Sequence, residues 1–378
     1  MPRYNDPAMS KTSRAEGAVR EIIRARRVSV GRRIPSEAQI CAELKISRKT
    51  ARLAIRALVR NGILESRPGY GHVLKSTTAQ RTIGITLGQV VTTSSGPIWT
   101  HLPMALRQDL DNLGFDARFY VLTGSGFPFI QDEEILVTDL EKGRLSAIVS
   151  VGVPLPLPGR YLSALDKRLA KGLREHRVPT TAYTSRDLPG TIGFDGRMEG
   201  RNAVAFMRSQ GIIRPGLIVP AKSSNFVTRL IDGFCAALAE NGIRNGQYHI
   251  FRAEGGDGFR QPGYKAFAPW WANMKQRVRD VPRGLIVPDD LLAEGVVYRA
   301  LVSGVRIPEE LVILAGGIKE APPFLPCPHF RAEIDAALLA RHLADLVVRL
   351  IKAPDHVPPR QWLKTQIVAS RGAASFFP

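Results

Sequence analysis

The chain has 378 residues, 44% apolar and 23% charged, with a formal net charge of +19, enough for two or three domains that each bury a core. No apolar run approaches the roughly 20 residues that cross a bilayer, and the opening MPRYNDPAMSKTSR lacks the apolar stretch of a secretory leader, so a cytoplasmic protein is expected. Cys41, Cys235 and Cys327 are odd in number and share no C-x-x-C spacing, which argues against a disulfide framework and a zinc site.

The charge is unevenly spread. Residues 1–80 hold 17 Lys+Arg against 6 Asp+Glu, and the remainder 36 against 28. Such concentration marks a module that meets a polyanion, either nucleic acid or an anionic membrane surface. The order of elements decides between them. After an arm at 1–12, AEGAVREIIRARRV predicts a helix with Val19, Ile22 and Ile23 on one side. PSEAQICAEL predicts a second helix from Glu37, because Ser36 and Gln39 have the spacing of a capping box. Ser47 is then a good N-cap for ISRKTARLAIRALVRNGILE. On that third helix Ala51, Ala54, Ile55 and Leu58 share about 100° of arc, the packing face. Arg48, Arg52, Arg56 and Arg60 form an i, i+4 row off that face, with Lys49 beside them and no carboxylate between Ile46 and Leu64. A merely solvated helix would interleave acidic residues. GILESRPGYGHVLKS predicts a hairpin from Ile63 to Lys75, turning through Pro68 to Gly71. Three helices and a basic hairpin make a winged helix over 13–76, with the third helix in the major groove of double-stranded DNA and the wing against phosphates or the minor groove.

Residues 77–82 read as a linker, and 83–378 as an α/β domain. Apolar runs such as TIGITL, SAIVSVGV, GLIVP (twice) and ELVILAGG alternate with amphipathic segments, several of which stop at a glycine: Gly114, Gly211, Gly242 and Gly304. In open parallel sheets the ligand crevice lies off the carboxyl ends of the strands. Those positions are rich in hydroxyls, aromatics and carboxylates, which suits a sugar or a related polar metabolite, with Trp99 or Phe127 stacking on it and Asp290 accepting from its hydroxyls. The seven histidines are scattered, and no H-E-x-x-H, G-x-S-x-G, Walker A or complete G-x-G-x-x-G motif occurs. Hence no catalytic residue, metal or cofactor is expected. A DNA-associated α/β enzyme acting on a small metabolite is the alternative.

GRRIPSEAQICAELKISRKTARLAIRALVRNGILESRPGYGHVL resembles the winged-helix module of the GntR family of bacterial regulators. The resemblance implies Arg48, Thr50 and Arg52 as groove contacts and Gly69, Tyr70 and Gly71 as the wing tip; Ser36, Ser47 and Lys49 complete the expected DNA-facing set. Ala38 stands where the family usually has arginine, and Lys45 where it usually has glycine. From Arg81 onward, RTIGITLG, EKGRLSAIVSVG, RLIDGFCAALAENGI, IVPDDLLAEGV and GVRIPEELVIL resemble the effector domain of the LacI and GalR regulators, itself similar to periplasmic binding proteins. The pairing is similar to the arabinose-regulator subgroup. It implies a two-lobed sensor, with lobe 1 at about 83–189 and 321–354 and lobe 2 at about 190–320 and 355–378. It also implies effector contacts at Arg229, Asp289 and Asp290, and a homodimer, by the family pattern a repressor, on a pseudo-palindromic operator. Three details depart from the pattern: RLIDGF has one residue more than the usual arginine-to-glycine spacing, Asp289 replaces an asparagine, and ILAGGI lacks the Gly-Phe-Asp that usually follows that strand.

Overall fold

The computed structural model describes residues 11–26, 28–60, 62–75, 82–88, 96–122, 132–152, 155, 164–221, 224–254, 260–277 and 283–370. The chain divides into two compact units between Thr82 and Ile83.

The first unit contains α1 (Lys11–Ala25), α2 (Glu37–Leu44), α3 (Arg48–Arg60), β1 (Leu64–Arg67) and β2 (Gly71–Leu74). Val19, Ile23, Ile40, Ala51, Ala54, Ile55, Leu58 and Leu64 close its core. The apolar arc expected on α3 is therefore the packed one, with Ala51, Ala54 and Leu58 fully buried. The capping box is made: Ser36 Oγ accepts from the Gln39 N–H (3.3 Å) while Gln39 Oε1 accepts from the Ser36 N–H (2.8 Å). At its other end α2 closes on Lys45 in the left-handed region (φ 52°, ψ 42°), its N–H donating to Cys41 O. That geometry explains why a glycine suits this turn: a Cβ is crowded against the carbonyl there.

The second unit has two parallel-rich sheets flanked by helices. The first is built from β3 (Thr82–Leu87), α4 (Ile98–Asn112), β4 (Asp116–Val121), α5 (Glu133–Glu141), β5 (Ala147–Val151), α6 (Ala164–Glu175), β6 (Thr180–Tyr183) and β7 (Thr191–Phe194). The chain then crosses through α7 (Gly196–Ser209) to β8 (Gly216–Pro220), α8 (Asn225–Glu240), β9 (Ile250–Ala253), α9 (Arg260–Arg277), β10 (Arg283–Val287), α10 (Asp290–Val302), β11 (Leu311–Ile318) and β12 (Phe330–Ile334). It returns in α11 (Ala336–Lys352) and β13 (Gln361–Leu363), and crosses a third time to β14 (Gln366–Ala369). The sheet orders are β13-β7-β6-β5-β3-β4 and β14-β12-β11-β10-β8-β9. Three crossings are thus present, and all three fall later than expected. Residues 191–194 still pair with β6, and 330–334 still pair with β11. Strand pairing holds each segment until its ladder is complete, so lobe 1 extends through Phe194 and takes in 361–363, while lobe 2 keeps Phe330–Ile334.

Leu102, Leu106 and Leu110 of α4 pack with Leu339, Leu343 and Val347 of α11 over β3, β5 and β7. Phe267 and Trp270 of α9 and Leu292 and Val296 of α10 do the same in lobe 2. Gly114, Gly211, Gly242 and Gly304 all have φ between 71° and 78°, the helix-terminating conformation expected for them. The three cysteines are free and half-buried. No described helix is long and apolar enough to cross a membrane.

Candidate DNA-binding face and effector cleft

The tight turn between α2 and α3 is locked by Ser47, whose Oγ accepts from the Thr50 N–H (3.2 Å) and lies 2.9 Å from Thr50 Oγ1. This leaves Arg48, Lys49, Arg52 and Arg56 exposed on one side of α3, with Thr50 half-buried. Arg52 is not without an acidic partner, contrary to the run of sequence around it. Its Nε donates to Glu37 Oε2 at 2.9 Å, from the first turn of α2. The pair is open to solvent, with Arg52 62% exposed, so it adds little stability. What it does is orient a guanidinium whose other nitrogens stay free, the form needed to donate twice to a guanine edge. At the wing, Gly69 (φ 72°) and Gly71 (φ 98°) turn the chain around Tyr70, whose ring is half exposed. Ser36, like Ser47, has its hydroxyl engaged in a helix cap.

In the second unit the strand ends converge as the α/β topology requires. Trp99, in the first turn of α4, lies over Gly152 just after β5; a Cβ on Gly152 would stand 2.7 Å from the ring. Trp99 also meets Tyr183 at the end of β6 (centroids 6.2 Å apart), and Tyr183 meets Phe194 edge-on. Burial pushes the Tyr183 phenol up to about 12. Asp289 caps α10, accepting from the Leu292 N–H, and Asp290 Oδ1 accepts from the Leu291 N–H, both at 2.8 Å. Burial first, then the neighbouring Asp290 charge, raises the Asp289 carboxyl to about 7. Asp290 is itself raised by burial. Its carboxylate abuts Gly96 of lobe 1: a Cβ there would stand 2.6 Å from Oδ1 and 3.0 Å from Oδ2. The two lobes therefore touch through an acidic side chain and a bare Cα, three residues before Trp99 in the sequence.

Arg229, in the first turns of α8, is engaged within the protein. Its Nη2 donates to Asp195 Oδ1 (2.7 Å) and its guanidinium lies over Trp362, 5.3 Å from the ring centre. Arg360 stacks on the same Trp362 ring at 3.8 Å and donates to Thr184 O and Thr191 Oγ1. Beside them the buried Glu199 accepts from the Thr365 N–H and hydroxyl, and burial raises its carboxyl. Neither Trp362 nor Glu199 was legible as a site residue, since Arg229 and Thr365, which meet them, lie more than 130 positions away in the sequence. Phe127 lies outside the described residues. Among the described residues no cluster of His, Cys, Asp and Glu could hold a metal ion.

Residues 11–74 match the family described as bacterial regulatory proteins, gntR family, and residues 204–371 match the periplasmic binding protein-like domain. The chain joins a GntR-type winged helix to a periplasmic-binding-protein-like domain. Its head is thus a DNA-binding module of a bacterial regulatory protein. No curated protein sequence matches the chain. The fold is similar to a "transcriptional regulator CelR-cellobiose complex" (TM-score 0.55, 18% identity, 86% of this chain and 90% of that one). It is similar to a LacI-family regulatory protein from Chloroflexus aggregans (0.56, 16%, 76% and 96%). It is also similar to a LacI-family regulator from Enterococcus faecium with bound ribose (0.54, 17%, 76% and 96%). The matched families are regulatory and binding modules rather than enzymes.

Proposed function

We propose that this GntR-type regulator acts in the cytoplasm as a homodimeric repressor of a pseudo-palindromic operator, and that a small polar effector of the sugar class, clamped between the sensor lobes, sets its operator affinity. The DNA half rests on the exposed row of Arg48, Lys49 and Arg52 on α3, beside a glycine-hinged wing. The observation that carries the effector half is the meeting of Asp290 with Gly96 across the lobes, just ahead of the α4 turn that carries Trp99. An aromatic face that stacks on a sugar ring opposite a carboxylate that accepts from hydroxyls is the pairing such a ligand needs. The ligands of two similar structures, cellobiose and ribose, support the class. Homodimerisation follows from the need for two half-sites, and the exposed Tyr298 and Phe324 on the outer face of lobe 2 are apolar surface that a second copy would cover.

The mechanism is linkage. Effector changes operator affinity only through its different affinities for the open and closed sensor, and DNA changes effector affinity by the same factor. The experiment is a thermal-shift screen of sugars and sugar phosphates, followed by fluorescence-anisotropy titration of operator with and without the hit. Asp290→Ala should abolish the effector response and leave operator binding intact. An unchanged effector titration in that variant removes Asp290 from the site, and a sensor that no sugar stabilises refutes the ligand class.

A further inference from the structure

The residues ahead of α2 join the wing. The Gly31 N–H donates to Leu74 O (2.7 Å), the Leu74 N–H to Arg32 O (2.9 Å) and the Ile34 N–H to His72 O (2.9 Å). Arg33 pairs with Val73 in an antiparallel bridge, while Glu65 pairs with Val73 from the other side. The wing therefore has three backbone segments, not two, and Arg33 belongs to it.

Residues directly opposite one another project from the same face of a sheet, so Arg33, Val73 and Glu65 form one row. Val73 is 1% exposed although it lies on the outer face of a small hairpin. The aliphatic stem of an exposed arginine beside it is the kind of cover that produces such burial while the guanidinium stays in water. That guanidinium lies along Gly71, where a Cβ would stand 3.1 Å from Nε. Glu65 is engaged by Arg67, and among the described residues Arg33 has no ion pair. An unanswered guanidinium, held by its stem on a rigid ladder one residue from the wing tip, has already given up much of the rotamer freedom that binding would otherwise cost.

We infer that Arg33 is a phosphate-binding residue of the wing, supplying to the sugar–phosphate wall of the groove a contact separate from those of α3. The inference rests on the reading of the head as a DNA-binding module. A phosphate is the partner because Arg33 flanks the base of the turn while Tyr70 occupies its tip, and contacts from the flank position a protein on the duplex without reading bases.

The test uses the full chain with Arg33→Met, which keeps the stem over Val73 and removes the charge, and Arg33→Lys, which keeps the charge. Binding to operator and to random duplex is followed by anisotropy from about 0.05 to 0.3 M salt. One lost phosphate contact makes the slope of log K against log salt shallower by about 0.9 for each head engaged, a loss of about fivefold near 0.15 M and about fifteenfold near 0.05 M. Arg33→Met should show that loss equally on both DNAs, and Arg33→Lys should stay within about twofold of the parent, since lysine meets phosphate as a point charge. Parent-like slope and affinity in Arg33→Met overturn the inference, and so does a loss confined to the operator. If Arg33→Met unfolds the head by circular dichroism, Arg33→Gln takes its place under the same criteria. A parent chain that binds no duplex at all refutes the reading of the head instead, an outcome separate from these.

Discussion

Replacing Gly96 with alanine tests whether the contact between Gly96 and Asp290 is the stop against which the sensor closes. The new Cβ would stand 2.6 Å and 3.0 Å from the two Asp290 oxygens. Ordinary carbon–oxygen approach is about 3.3–3.6 Å, so the carboxylate or the lobe must retreat by about 0.7 Å or more. Asp290 cannot simply swing aside, because it is 8% exposed and its Oδ1 is tied to the Leu291 N–H at 2.8 Å. Overpacking of this kind costs about 1–3 kcal/mol. The whole cost falls on the closed form, since opening the lobes removes the contact. If effector is held by the closed form, its affinity falls about five- to 150-fold. Calorimetric titration with the sugar found in the thermal-shift screen reads that loss directly. Operator binding without effector is expected to stay at the parent value. A Gly96→Ala protein that binds effector as tightly as the parent refutes the reasoning, because the clash would then be absent from the ligand-bound form.

Arg52→Ala should weaken operator binding by about 1–3 kcal/mol and random-sequence binding far less; equal losses in anisotropy on both DNAs exclude base reading. Lys45→Gly should raise the stability of the head by about 0.5–1 kcal/mol, because it relieves a left-handed non-glycine residue at greater backbone-entropy cost in the unfolded chain; a lower denaturation midpoint contradicts this. Asp289 is an acid whose folded pKa is raised to about 7, so the folded form binds more protons than the unfolded one between about pH 4 and 7. Its contribution is present below that window and lost as the pH rises through about 7. Asp289→Asn, which keeps an oxygen for the Leu292 cap, should therefore melt progressively higher than the parent as pH rises toward 8; parallel melting curves from pH 5 to 8 rule that out.

The features legible in the sequence share a physical cause. Ser36 with Gln39, the arc of Ala51, Ala54, Ile55 and Leu58, and glycines such as Gly114 and Gly242 are set by contacts within one or two helical turns, so their spacing is their signature. The sheet order and the cleft at the strand ends follow from β-α-β wiring in the same way. What escaped was held by partners distant in the chain. Glu37 answers Arg52 from another helix, the segment 31–34 pairs with the wing strand through His72 and Leu74, and Arg229 meets Asp195 and Trp362 across the crossings. The same reason moved the lobe boundaries, because whether Thr191–Phe194 or Phe330–Ile334 stays with a sheet depends on a neighbouring strand and not on its own pattern. These illegible contacts gather at the crossings: Arg229 with Asp195, Arg360 with Thr184 and Thr191, and Glu199 with Thr365. Short crossing segments have too few residues for a periodic face, so side-chain hydrogen bonds must supply the order that packing supplies elsewhere. Buried partners of that kind allow a hinge to turn only while each donor keeps its acceptor, since a carboxyl such as Glu199 left alone in the interior is costly. If the sensor closes on effector as proposed, the Gly96–Asp290 contact would limit the motion at one end, and these hydrogen bonds would have to survive it at the other.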